Sequence, residues 1–137
     1  GALAWNGLGA SGWEGAGVPC HILEHPLSGL FDVTHAAGLT ITIPAFLKLR
    51  RKALEPRILK FGRMVLGMDA AGAEEVIGEL ERWYRQLGCP TRFSDLMDTG
   101  SVDVDRLVGE AMKLKTAWKA SDMSEQEMRD AYGLMMQ

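Results

Sequence analysis

The chain has little cysteine and histidine, no long apolar run and no excess of positive charge. Two cysteines, Cys20 and Cys89, cannot build the disulfide framework of a small secreted domain, so a reducing cytoplasm is the expected setting. The longest apolar stretch, Gly38 to Leu47, is interrupted by Thr40, Thr42 and Pro44. It falls short of the ~20 residues of a membrane-spanning helix. The opening GALAWNGLGASG lacks a basic region and an apolar core, so this stretch is not expected to be a secretory signal. A net charge of −3 gives no reason to expect nucleic acid or an anionic membrane as partner. Alternating strand patterns, repeats and low-complexity tracts are missing as well. What remains is 137 residues, 47% hydrophobic and 24% charged, enough for one domain with a buried core.

Helix signals fill most of that length and predict an all-α helical bundle. Pro19 suits the first turn of a helix running to Leu30, which Pro26 should kink or split in two. Thr34 is a good N-cap for a second helix from Ala36 to about Leu54, apolar almost all round in GLTITIPAFL. Its closing run of Lys48, Arg50, Arg51 and Lys52 reads as cations on a solvated face near a helix C-terminus. Pro56 opens a third helix to Leu66, ended by Gly67. Asp69 can cap a fourth that runs to Leu87 and stops at Gly88. Its Val76, Ile77, Leu80, Trp83, Tyr84 and Leu87 recur at helical spacing as a core stripe. GCPTRFSDLMD is a loop with a helical turn from Ser94. A helix from Val104 to Trp118 follows, then one from Ser124, where Ser124 and Glu127 form a capping-box pair. The eight methionines, spread through these helices, read as core filler rather than a thioether metal site. Ala2, Leu3, Ala4 and Trp5 resemble the end of an apolar helix with no cap, as expected for a piece of a longer polypeptide.

Two strings could carry chemistry. Gly7-Leu8-Gly9-Ala10-Ser11-Gly12 fits G-x-G-x-x-G, but a dinucleotide loop needs a strand before it and a helix opening within it. Here six helix-like residues precede it and Gly15, Gly17 and Pro19 follow, so a tight loop is the better reading. The second string is GVPCHILEHPLSGLFDVTH, residues 17–35, which contains all three histidines, His21, His25 and His35. His21 and His25 stand at i and i+4, on one side of a helix. The same residues spell H-x-x-E-H, with Glu24 as the base a zinc hydrolase would want. Such an enzyme also needs a ligand from a distant helix, and Pro26 follows at once. Core histidines with no chemistry are the bland alternative. Three within fifteen residues leave a metal or catalytic role and that alternative evenly balanced.

The order of residues around the histidines adds to this. NGLGASG…CHILEHPLSGLFDVTHAAGLTITIPAFLK closely resembles the iron-containing (group III) alcohol dehydrogenases. Those enzymes carry a histidine, then H-P/A-L-S/G-A/G three residues beyond it, then D-x-x-H-G/A-x-G-L leading into an apolar, proline-containing helix. GCPTRFSDL and MSEQEMRDAY resemble the family's closing helices less specifically. The resemblance covers nearly the whole chain and the last third or so of a family member.

It implies that residues 1–137 are an incomplete C-terminal all-helical metal-binding domain, with the nucleotide-binding domain absent. It implies iron(II), or zinc in some members, held by one aspartate and three histidines, with His21 and His35 in the positions of two of those ligands. It implies NAD or NADP as hydride carrier, a small alcohol or aldehyde as substrate, and a homo-oligomer. His25 matches a histidine that is no ligand but stands near the nicotinamide to relay a proton. Glu24 is then a supporting or surface residue, and Asp32 belongs to the D-x-x-H turn. Cys20 is a stray zinc ligand candidate for which burial is the expected role. The family's aspartate and remaining histidine ligand have no counterpart here, so this chain alone is not expected to turn over. A stand-alone helical metal-binding module is the alternative. A dinucleotide domain encoded upstream of Gly1 would select the enzyme, a start codon just before it the module.

Overall fold

A computed structural model describes residues 18–118 and 122–137. The glycine string at 7–12, Gly15, Gly17 and the apolar residues 2–5 lie outside the described residues. Among those described, the backbone forms six α-helices and two 3₁₀ turns and no strand, the all-α class expected. The helices are α1 Pro19–Phe31, α2 His35–Leu49, α3 Arg51–Val65, α4 Ala73–Gln86, α5 Val104–Trp118 and α6 Glu125–Met135. The 3₁₀ turns are Phe93–Asp95 and Thr99–Ser101.

Pro19 opens α1 as its pre-set φ favours. Of the two outcomes expected at Pro26, the split does not occur, and the helix runs on to Phe31. Leu23 and Leu27 on either side of the proline are fully buried, and Ser28 bonds back to Glu24 across the turn that lacks an N–H. Tertiary burial outweighs the single backbone bond that proline removes. Asp32 then takes a left-handed conformation, φ 55°, and ends the helix with its N–H on the Ser28 carbonyl. Aspartate is among the few side chains that tolerate this region. Thr34 is the N-cap of α2, as anticipated, though its hydroxyl makes no cap bond.

The second expected boundary moves. The helix expected to reach Leu54 ends at Leu49, and α3 starts at Arg51 rather than at Pro56, which lies inside it. Arg50 is the joint, with φ −96° and ψ 12°. Its guanidinium pairs with Glu127 at 2.9 Å and Asp122 at 3.4 Å, beside the start of α6. Lys48 pairs with Glu81 of α4. These two cations of the basic run thus tie elements together rather than only face solvent. The start of α4 also moves, from Asp69 to Ala73 with Gly72 as N-cap. The Glu75 carboxylate accepts from the Ala71 N–H at 3.0 Å and supplies the capping interaction from inside the helix. At its other end Gly88, with φ 74°, lets the Cys89 N–H reach the Tyr84 carbonyl and its own N–H reach that of Arg85, a Schellman ending.

The main core joins α1, α2, α5 and α6. Ile22, Leu23, Leu27, Ile41, Leu107, Met128 and Tyr132 are all fully buried, with Phe93 of the first 3₁₀ turn among them. Burying each large apolar side chain contributes about 1.5–3 kcal/mol. A smaller cluster of Ile58, Ala73, Val76 and Ile77 seals α3 against α4. The expected stripe on α4 is cut short: Trp83 is 47% and Leu87 60% exposed. Met123, Met128 and Met135 fill the main core as expected, while Met64 is exposed. The Ser124–Glu127 capping box at the start of α6 forms in full. No helix of the described residues is long and apolar enough to cross a membrane.

Candidate metal centre

The α1–α2 corner brings all three histidines together. His21 and His25 lie one turn apart on α1, and His35 is the first residue of α2. Ring centroids are 5.2 Å apart for His21 and His35, 5.3 Å for His25 and His35, and 6.4 Å for His21 and His25. The left-handed turn at Asp32 folds α2 back so that a residue ten positions beyond His25 returns to it. Trp118, at the end of α5, meets the His25 ring edge-on at 4.9 Å with an interplanar angle of 85°.

Beneath the rings lies Glu24, fully buried on the inward side of α1. One carboxylate oxygen accepts from the Ser28 hydroxyl, and the other pairs with Nδ1 of His35. In the tautomer with the proton on Nδ1 the imidazole donates to this carboxylate and Nε2 keeps a lone pair. Gly38 of α2 faces this carboxylate so closely that a Cβ there would lie 2.6 Å from Glu24 Cγ and Oε1. Sequence reasoning left Glu24 between a supporting and a surface role and passed over Ser28, Gly38 and Trp118. The i,i+4 pairing of Glu24 with Ser28 was the one local signal available.

Burial, with the like charge of His35 and His25 adding to it, holds the His21 imidazole below its usual pKa, against the opposing pull of Glu24. A proton therefore competes less well for this nitrogen than for an ordinary imidazole. Burial pushes the Cys20 thiol up to about 11. Both cysteines are free and partly buried, and Cys20 as a protonated thiol is a poor metal ligand. Asp32 is exposed at the turn.

Two sets of donors can be drawn. Glu24, His25 and His35 each offer one ligand atom, all within 4.8 Å of one another. His21 with His35 is the pair expected from the sequence. Both carboxylate oxygens of Glu24 are already engaged, so ligation by Glu24 would break one of those bonds at a fully buried site. The same engagement removes Glu24 as a hydrolytic base, which needs a lone pair turned toward a water. The His21 and His35 imidazoles are nitrogen donors of a kind suited to iron or zinc. A groove of about 660 Å³ between α2, α3 and α4, lined by Phe46, Leu54, Phe61 and Leu80 among others, includes none of the histidines.

Residues 8–133 match the model of the Fe-containing alcohol dehydrogenase family, C-terminal. The probable NADH-dependent butanol dehydrogenase 1 of Bacillus subtilis is 26% identical over 134 residues, covering 93% of this chain and 34% of that protein. The NADPH-dependent aldehyde reductase YqhD of Escherichia coli is 31% identical over 99 residues, covering 66% of this chain and 26% of that protein. The crystal structure of NADH-dependent butanol dehydrogenase A from Thermotoga maritima matches with a TM-score of 0.82 and 28% identity, covering 98% of this chain and 37% of that one. The chain spans about a third of the length of these relatives.

Proposed function

The chain belongs to the Fe-containing alcohol dehydrogenase family, and from that premise we propose that it forms the all-helical, metal-binding side of the active site in an NAD- or NADP-dependent enzyme that interconverts alcohols and aldehydes. Its similarity to an NADH-dependent butanol dehydrogenase and an NADPH-dependent aldehyde reductase supports the reaction class. The observation that carries the reading to particular residues is the gathering of His21, His25 and His35 with their ring centroids 5.2–6.4 Å apart. A nucleotide-binding domain, the remaining metal ligands and a homo-oligomeric assembly belong to the same reading. So do a small-molecule substrate, a reducing cytoplasm, and neither nucleic acid nor membrane as partner.

In this reading His21 and His35 would hold iron(II), or zinc, as imidazole donors. The metal when bound supplies Lewis acidity at the substrate oxygen. His25 takes the proton released from the alcohol, or returns it to the aldehyde oxygen, and passes it outward. An imidazole suits that task because its pKa lies near neutrality. Trp118, packed edge-on against His25, fixes the ring and covers one side of it.

The test uses the intact protein. Alcohol-dependent reduction of NAD or NADP, followed by nicotinamide absorbance, should be lost on chelation and return when iron(II) or zinc is added back. Full turnover in metal-free protein would overturn the proposal.

A further inference from the structure

His35 is the most exposed of the three histidines. It begins a helix, and its side chain is 48% exposed. Free rotation about its side-chain torsions would swing Nε2 away from any metal shared with His21. Beside its ring contacts with His21 and His25, one hydrogen bond opposes this, between its Nδ1 and a carboxylate that has no freedom of its own. Glu24 is fully buried, its second oxygen is held by Ser28, and Gly38 walls it in from α2. Resting on the metal reading above, we infer that Glu24 is a positioning residue. It holds His35 in the Nδ1–H tautomer and in one ring orientation, so that Nε2 is presented toward His21.

The chemistry favours this over Glu24 as a ligand. A metal-bound imidazole gains basicity when its other nitrogen donates to a carboxylate, and its ring is fixed by the same bond. Direct ligation would compete with the His35 Nδ1 or Ser28 hydroxyl for a carboxylate that is itself fully buried. The close approach at Gly38 adds a second consequence. Any side chain at that position must displace Glu24 Cγ or the α2 backbone, so Gly38 serves the same bond from a distance.

The test is cobalt(II) titration of the metal-depleted intact protein against a competing chelator, for wild type, Glu24→Gln, Ser28→Ala, Gly38→Ala and His21→Ala. Loss of a partner of this kind weakens metal binding about 10–100-fold, and that is the expectation for Glu24→Gln. Ser28→Ala and Gly38→Ala should shift affinity in the same direction, Ser28→Ala the less. The cobalt absorption bands should keep their positions in Glu24→Gln, since the donor atoms are unchanged. Thermal unfolding of the metal-free variants separates positioning from folding, because Ser28→Ala should unfold close to wild type yet bind more weakly. If Glu24→Gln does not fold, Ser28→Ala and Gly38→Ala decide alone. Unchanged affinity in the folded variants, or bands that move as a carboxylate donor is lost, would overturn the inference. An unchanged affinity in His21→Ala would instead overturn the metal reading beneath it.

Discussion

Tyr132 donates its hydroxyl hydrogen to the Leu23 carbonyl at 2.9 Å, fastening the last helix to the one that carries His21, Glu24 and His25. The ring is fully buried in the main core. Burial, with the charge of Glu24 adding to it, pushes the phenol well above its ordinary pKa, so it remains a donor at every working pH. Replacing Tyr132 by Phe keeps the packing and removes one buried bond. The expected loss is about 0.5–1.5 kcal/mol in denaturant unfolding. Tyr132→Ala adds a cavity and should cost about 3–5 kcal/mol.

The first and last helices were the most legible parts of the fold. Pro19 at the first turn, the Ser124–Glu127 box and the Val104–Trp118 helix are local signals, and the structure keeps each where the sequence put it. The middle was less legible. Pro26 and Pro56 both lie inside helices, Pro26 between the buried Leu23 and Leu27 and Pro56 at an exposed position two residues before the buried Ile58. The joint at Arg50 follows from partners seventy or more residues away, which no local window contains. Within the site the three histidines were legible from spacing. The burial of Glu24 was not, because a glutamate between two histidines on a helix reads equally well as facing outward.

The capping box at the start of α6 gives a prediction with a pH sign. The Ser124 backbone N–H is the largest influence holding the Glu127 carboxyl below its usual range, followed among the favourable ones by the Ser124 hydroxyl and the Arg50 guanidinium. A depressed folded pKa adds stability that is present above the unfolded value of about 4.3 and is lost as pH falls through the lower folded value. Ser124→Ala should cost about 0.5–2 kcal/mol near pH 7. In thermal scans the gap between wild type and variant should narrow as pH falls through the lowered folded value, where Glu127 becomes protonated in the folded wild type as well.

Cys20 offers a chemical test of its surroundings. With its thiol pushed up to about 11 it holds little thiolate at neutral pH. Relative to an ordinary cysteine near 8.5, alkylation by iodoacetamide at pH 7.5 should be slower by roughly 100-fold or more. Peptide mapping of the reacted protein reads this directly. Rapid modification of Cys20 would mean that the helix start at Pro19 opens far more than its packing implies.

The division of labour among the histidines is the central claim, and metal content per protomer in three variants of the intact protein tests it most directly. His21→Ala and His35→Ala should each lose most of their iron or zinc, and activity with it. His25→Ala should keep its metal near the wild-type level while turnover falls by about 10²–10⁴-fold, the usual contribution of a general acid–base group. The opposite pattern is the alternative held open by the proximity of Glu24, His25 and His35. If His25→Ala is recovered metal-free while His21→Ala stays loaded, the ligand assignment is wrong.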